Sequence, residues 1–337
     1  MTNRTRYFVI TSLLVLAVGL GTGLVAYYVG LPGGLAVQGG PDELQYLPQD
    51  AAVVAYADVR EIMLSDVRQK IRRAVPLFPG GPEAEGRDGQ RQFQERTGID
   101  IESDIDRVVA SLQPRADGKM SGLVLARGRF SDVKIEALMR EHGAEVEEYN
   151  GRRVIAHRNV PAAAGDSIAL SFLEPGLIAV GSGEMVRKSI DLQKTGANVT
   201  KNTELMALLG TLEPGNAWAV GRLDALLSDG RLPVQFTSQL PAITWFSVSG
   251  RVDSDIRGVV RADTRDDEAA NNLRDVVRGF LALARLQAGT RPEVQMMMQS
   301  LQLGGTGKSV ALSFSVPGAV FDAFAAKAPA QQKPLAQ

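Results

Sequence analysis

Leu47-Pro48-Gln49-Asp50-Ala51-Ala52-Val53-Val54-Ala55-Tyr56-Ala57-Asp58 and Leu212-Glu213-Pro214-Gly215-Asn216-Ala217-Trp218-Ala219-Val220-Gly221-Arg222-Leu223-Asp224 follow one plan. A Pro-containing turn leads into a short apolar run, and an aspartate follows. Such a run, bounded by turn residues, reads as a strand. After the first run, Val59, Ile62, Met63, Val67 and Ile71 recur at helical spacing, with Asp58 as N-cap and Glu61 as its partner three residues on. Ala225, Leu226 and Leu227 follow the second.

The parallel continues downstream. Gly122-Leu123-Val124-Leu125-Ala126-Arg127-Gly128-Arg129-Phe130 leads into a helix with Ile135, Leu138, Met139 and His142 on one face. Gly258-Val259-Val260-Arg261-Ala262-Asp263 leads into a helix carrying Leu273, Val277, Phe280 and Ala284. A polar turn precedes each strand, Pro114 to Ser121 in one half and Asp253 to Asp255 in the other, which suggests hairpins. Each half then closes with further strands and a helix. The expected fold class is α+β, with two similar units and mainly antiparallel sheet.

Ahead of both units, Arg4 and Arg6 precede an uncharged, mostly apolar run from Tyr7 to Val29. A helix of that length reaches across the roughly 30 Å hydrocarbon core of a bilayer, and it is longer than the apolar part of a cleaved signal peptide. Because no Lys or Arg follows until Arg60, the N-terminus is expected to stay in the cytoplasm and the bulk of the chain to be exported. A cleaved signal with a small-residue site near Gly34, Leu35 and Ala36 is the competing reading. The chain has no cysteine, which excludes a lipidated N-terminal Cys, disulfides, thiolate zinc sites and a thiol nucleophile.

The expected organisation is a cytoplasmic N-terminus (1–6), a transmembrane helix (7–29), a flexible Gly-rich stalk (30–45), a first unit (46–211), a second unit (212–326) and a disordered Pro/Ala/Gln tail (327–337). Pro76 to Gln90 reads as a mobile surface loop, and Asn159 to Asp166 as a polar break between strands. The 337 residues carry a net charge of −1, with 45% hydrophobic and 22% charged residues. That balance offers neither a basic face for nucleic acid nor a polybasic belt for anionic lipid.

Several segments look like sites, and each has a structural alternative. Gly304-Gly305-Thr306-Gly307-Lys308-Ser309 ends like a phosphate-binding loop. However, Gln302 stands where the motif needs its first glycine, and the residues after Ser309 alternate like a strand; a glycine-rich hairpin turn fits better. Gly181-Ser182-Gly183-Glu184 reads as an N-cap rather than an anion site, despite Lys188 nearby. Asp100, Glu102, Asp104 and Asp106 alternate like a calcium loop, but Ile105 and Ser111 occupy the positions that require Gly and Glu. A capped helix start with Ile101, Ile105, Val108 and Val109 facing inward is expected instead.

His142 is expected packed on its helix and His157 at the surface, and two histidines are too few for a zinc site or a triad. Met296-Met297-Met298 point around a helix and read as core rather than as copper ligands. Gly19-Leu20-Gly21-Thr22-Gly23 lies inside the apolar span, so a dinucleotide loop is excluded; Gly19 and Gly23 form a small-xxx-small pair through which two spans could pack as a homodimer. No catalytic, cofactor-binding or metal-ligating set is assigned.

The Leu47 to Ala51 segment, Thr97-Gly98-Ile99-Asp100 running to Asp104-Ile105-Asp106-Arg107-Val108, and Gly128-Arg129-Phe130 before a helix resemble a bacterial family of unknown function that has one N-terminal span and a duplicated exported α+β region. The resemblance implies topology only. Together these readings give a single-pass protein of the bacterial inner membrane with its bulk in the periplasm. It is expected to bind or scaffold an envelope protein or an apolar ligand, without nucleic acid or cofactor. The alternative is an envelope hydrolase using paired carboxylates.

Overall fold

The computed structural model describes residues 41–74, 94–95, 98–116, 118–156, 168–227, 242–288 and 292–326. The span from Tyr7 to Val29 with Gly19 and Gly23, the Pro76 to Gln90 loop, the Asn159 to Asp166 break, His157 and the tail 327–337 lie outside the described residues. Among the described residues, no helix is long and apolar enough to cross a membrane.

The strands are β1 (Val53–Ala57), β2 (Ile105–Pro114), β3 (Met120–Gly128), β4 (Glu145–Tyr149), β5 (Arg152–Ala156), β6 (Ile168–Glu174), β7 (Leu177–Ser182), β8 (Ala217–Arg222), β9 (Ile243–Val252), β10 (Ile256–Thr264), β11 (Gln302–Gly304) and β12 (Ser309–Val316). All join one antiparallel sheet in the order β11-β12-β10-β9-β8-β1-β2-β3-β7-β6-β5-β4. The helices are α1 (Val59–Leu64), α2 (Asp66–Ala74), α3 (Ile101–Asp104), α4 (Asp132–Glu141), α5 (Gly183–Thr195), α6 (Thr203–Leu209), α7 (Leu223–Leu227), α8 (Asp267–Ala288), α9 (Pro292–Ser300) and α10 (Gly318–Ala326).

The two runs quoted first, β1 and β8, pair with each other at the middle of this sheet. Val54 faces Val220, Ala55 faces Ala219 and Tyr56 faces Trp218. All five residues of β1 are buried, as an apolar run without alternation requires. The Tyr56 and Trp218 rings stack with centroids 5.9 Å apart, a pairing that adds about 0.5–1.5 kcal/mol beyond the area it buries.

Outward from this seam the two sides run in step. β2 and β9 are each ten residues long, and β3 and β10 each nine. Val53 faces Leu112, which faces Gly122; on the other side Ala217 faces Gly250, which faces Gly258. Both long hairpins break register at the end away from their turn, between Ile105 and Arg107 in one and between Asp263 and Thr264 in the other. Beyond them, β7 then β6 flank β3, as β12 then β11 flank β10. The sides diverge at the rim: the β4–β5 hairpin extends one, and α9 occupies the corresponding stretch of chain in the other.

The outermost strands carry different features. β4 has Glu145, Glu147 and Glu148, with Arg187 Nε 2.8 Å from Glu147 Oε1, whereas β11 is three residues long.

One large core spans both sides of the seam, including Leu123, Leu125, Leu177, Ile190 and Val220. The second half also has three smaller clusters: Ala270, Leu273 and Val310; Met297, Phe314, Val316 and Val320; and Met298 with Ala284 and Leu301 packed against it. The halves interlock on the helical side. Lys70 on α2 pairs with Asp322 on α10 at 2.6 Å, Arg251 meets Glu61 at 2.7 Å, and Val67 N–H donates to the Asp253 carbonyl at 2.9 Å. A Cβ at Gly318 would lie 2.3 Å from the Ser254 carbonyl oxygen, so this close approach requires glycine.

Three expectations are corrected. The helix expected to run from Asp100 through Val108 and Val109 stops at Asp104, and Ile105–Pro114 is strand β2. β-branched valines suit a strand, and β1 and β3 satisfy the backbone of β2 on both edges. Residues 42–45, placed in the stalk by composition, belong to the packed fold, because the 3-10 turn Asp42–Tyr46 buries Glu43, Leu44 and Tyr46. Phe280, expected on the inward stripe of α8, is 52% exposed while Leu273 on the same helix is buried.

Leu273→Ala should cost about 2–5 kcal/mol in denaturant unfolding, because it empties the contact between α8 and β12. Lys134→Ala on the open face of α4 should stay within about 0.5 kcal/mol.

Candidate functional site

A cluster of ionisable groups lies around the turn Asp42–Tyr46. Register places Arg107 on β2 directly opposite Arg127 on β3. Like charges facing each other across a strand pair repel, so an anion between them is needed. The turn Asp42–Tyr46 supplies it. Glu43, 1% exposed, accepts from Arg107 Nε at 3.0 Å and from Arg127 Nε. Arg127 Nη2 also reaches Glu174 Oε2 at 3.2 Å, and the Tyr46 hydroxyl donates to Glu174 Oε1. Ser189 on α5 donates to the Tyr46 carbonyl at 2.9 Å, which fixes the turn against that helix.

The electrostatics follow from this geometry. Burial pushes the Glu43 carboxyl up, but the Arg127 and Arg107 guanidiniums outweigh it and hold the group below the ordinary carboxylate range. Burial, followed by the hydrogen bond to Glu174, pushes the Tyr46 phenol up to about 12. The Tyr46 hydrogen bond, acting against burial and helped by Arg127, holds Glu174 down. Both carboxylates are therefore charged at neutral pH, so neither serves as a general acid there. Among the described residues, Glu43 Oε2 has no hydrogen-bond partner. Arg127 bridges the two carboxylates, whereas paired-carboxylate hydrolysis needs a substrate between them. The cluster is a clamp on the entry turn.

A shallow, open depression lies beside it, lined by Gln49, Asp50, Lys188, Asp191, Lys201 and Glu204 among others. Three of its charged groups already have partners. Lys188 Nζ is 3.0 Å from Asp50 Oδ1 and 3.0 Å from Gln113 Oε1, and Asp191 accepts from Tyr149 at 2.8 Å and Asn150 at 2.7 Å.

The segments singled out by sequence are scattered over the fold. Gly305 to Lys308 link β11 to β12 in a turn with positive φ at Gly305 and Gly307, and Arg274 donates to the Gly307 and Ser309 carbonyls at 2.7 and 3.0 Å. Ser182 caps α5, accepting from Met185 N–H at 3.3 Å. Asp104 accepts from Asp100 N–H at 2.9 Å, and Asp106 pairs with Arg60. Met297 and Met298 are buried while Met296 points out, so the three diverge.

His142 is a further correction. It is exposed at the C-cap of α4 rather than packed, and its Nδ1 lies 2.9 Å from the Leu138 carbonyl oxygen. The same carbonyl accepts the His142 backbone N–H at 3.2 Å, so the ring adds a second contact to the last turn of the helix, where a side chain can meet the terminal carbonyls while staying in solvent. Among the described residues, no group of three or more His, Cys, Asp or Glu could hold a metal ion.

No family model and no curated relative matches the chain. Two solved structures align with it. Crystal form III of TP0453 covers 86% of this chain and 100% of its own at 10% identity and a TM-score of 0.44. Crystal form I covers 87% and 99% at 9% identity and a TM-score of 0.42. Function is therefore read from this chain's own residues.

Glu43→Gln removes the anion between two facing arginines, of which Arg127 keeps Glu174 and both are partly exposed, and should cost about 1–3 kcal/mol, as losing a charged hydrogen-bond partner does. Because the folded-state pKa of Glu43 lies below 4.5, its stabilisation is present above that pH and is lost as pH falls through the lower folded value. Urea unfolding across that acid range should show a steeper loss of stability in the natural chain than in Glu43→Gln.

Proposed function

We propose that this chain is a single-span, membrane-tethered protein of the bacterial envelope whose exported part binds or scaffolds a partner instead of catalysing a reaction. The observation that carries the binding reading is on α8. Val276, Phe280, Leu283 and Leu286 are exposed, at 39, 52, 52 and 82%, and they recur at helical spacing along one helix. Exposed single apolar residues are ordinary, but a contiguous row of large ones marks an interaction surface. Met296 on the neighbouring α9 is 41% exposed as well.

The polar clusters support the same reading from the other side. Reactive sites keep charged groups poised for a substrate, whereas Glu43, Glu174, Lys188 and Asp191 are each committed to partners within the fold.

The two halves are read as copies of one unit. Matching strand lengths, matching register on both sides of the seam and the register break at the same end of each long hairpin support this reading. The tether rests on sequence: Arg4 and Arg6 before an apolar run from Tyr7 to Val29 long enough to cross a bilayer.

A reporter that is active only outside the cytoplasm, fused after Gln337, should be active in cells and should lose activity when Tyr7 to Val29 is deleted. Undiminished activity in the deletion would remove the tether.

A further inference from the structure

Helix α8 has more apolar surface than the fold uses. Leu273 and Val277 pack towards β12 and Ala284 packs towards Met298 of α9, which accounts for one flank. Val276, Phe280, Leu283 and Leu286 form a second row on the other flank, about 15 Å long at 1.5 Å per residue. Two features of the chain indicate what covers it.

The first is charge. Asp275 pairs with Arg278 at 2.8 Å, and from Val276 to Arg291 the sequence adds Arg285 and Arg291 and no Asp or Glu. Large apolar side chains followed by an excess of cations match an anionic lipid surface, where the apolar row enters the headgroup boundary and the excess arginine charge meets phosphate.

The second is reach. From Val29 to Pro41 the chain extends at most about 40 Å. A domain tethered so closely meets the bilayer surface at high local concentration, before any diffusing partner.

We propose that the exposed row of α8 docks on the anionic phospholipid surface of the membrane that anchors the chain, so that the domain is held at two points, by its N-terminal span and by this helix. The proposal rests on the tether reading above, and the test separates the two.

The chain contains no cysteine, so a single Leu283→Cys substitution gives one labelling position, at a side chain already half exposed. The full chain carrying an environment-sensitive fluorophore there is reconstituted into phosphatidylcholine vesicles with and without phosphatidylglycerol. A Lys134→Cys chain on the exposed face of α4 serves as the reference. With phosphatidylglycerol present, the Leu283 label should shift to the blue, be quenched several-fold by brominated lipid and resist aqueous iodide. The Lys134 label should show the reverse. High salt or removal of phosphatidylglycerol should weaken the Leu283 signal.

A Leu283 label shielded from both quenchers would mean that protein covers the row, which overturns lipid docking and keeps the binding surface. A label open to iodide would overturn both while the chain still floats with vesicles, leaving the tether intact. A chain that fails to float with vesicles would remove the tether and the docking together.

Discussion

The antiparallel pairing of β1 with β8 is the constraint on which the other contacts depend. Each strand is the first of its half, and each needs a partner on both edges because both its faces are buried. A buried strand with a free edge would leave a row of backbone donors and acceptors unsatisfied at about 1–3 kcal/mol each, so neither half is complete without the other. The pairing also sets where everything else sits. From the seam outward each hairpin is placed by the one before it, and the interlock of α2 with α10 across the top follows from that placement.

The Arg107–Arg127 pair illustrates how a local cost becomes a global constraint. Two cations facing each other on adjacent strands would weaken an isolated hairpin. The cost is offset only when Glu43 arrives from a segment 64 and 84 positions away along the chain. Through the same arginine, Glu174 and Tyr46 are drawn in, so the entry turn, two central strands and β6 form one electrostatic unit. Glu43 is the buried charge of the set, and its two arginine partners come from adjacent strands, so the position of the entry turn is tied to the register of β2 and β3.

Much of the strand content was legible in the sequence, because apolar runs bounded by Pro, Gly and Asp carry a local signal. Val53 to Ala57, Gly122 to Gly128 and Gly258 to Asp263 are strands for the reason their composition suggests. Asp100 to Val109 was misleading: alternating carboxylates look like a helix start, and a short helix does form, but the strand that follows is decided by β1 and β3, which are remote in sequence. The charge clamp left only a faint trace, single arginines inside otherwise apolar strands, and nothing local pointed to Glu43. Phe280 lies at the edge of the face that Leu273, Val277 and Ala284 bury, on the flank with exposed Val276 and Leu283, and helical periodicity cannot report how wide a stripe the neighbouring elements cover.

The two rims of the sheet have a consequence for how copies of this protein can associate. An open β-edge is a template for another chain, and twelve strands in one layer would otherwise present two such templates. β4 exposes carboxylates along one rim, which repel an identical strand, and β11 is too short at the other to start a ladder. Growth of the sheet from molecule to molecule is thereby disfavoured at both rims. At high density the described rims therefore favour contacts through faces and helices, so crowding should produce discrete contacts and not cross-β fibres.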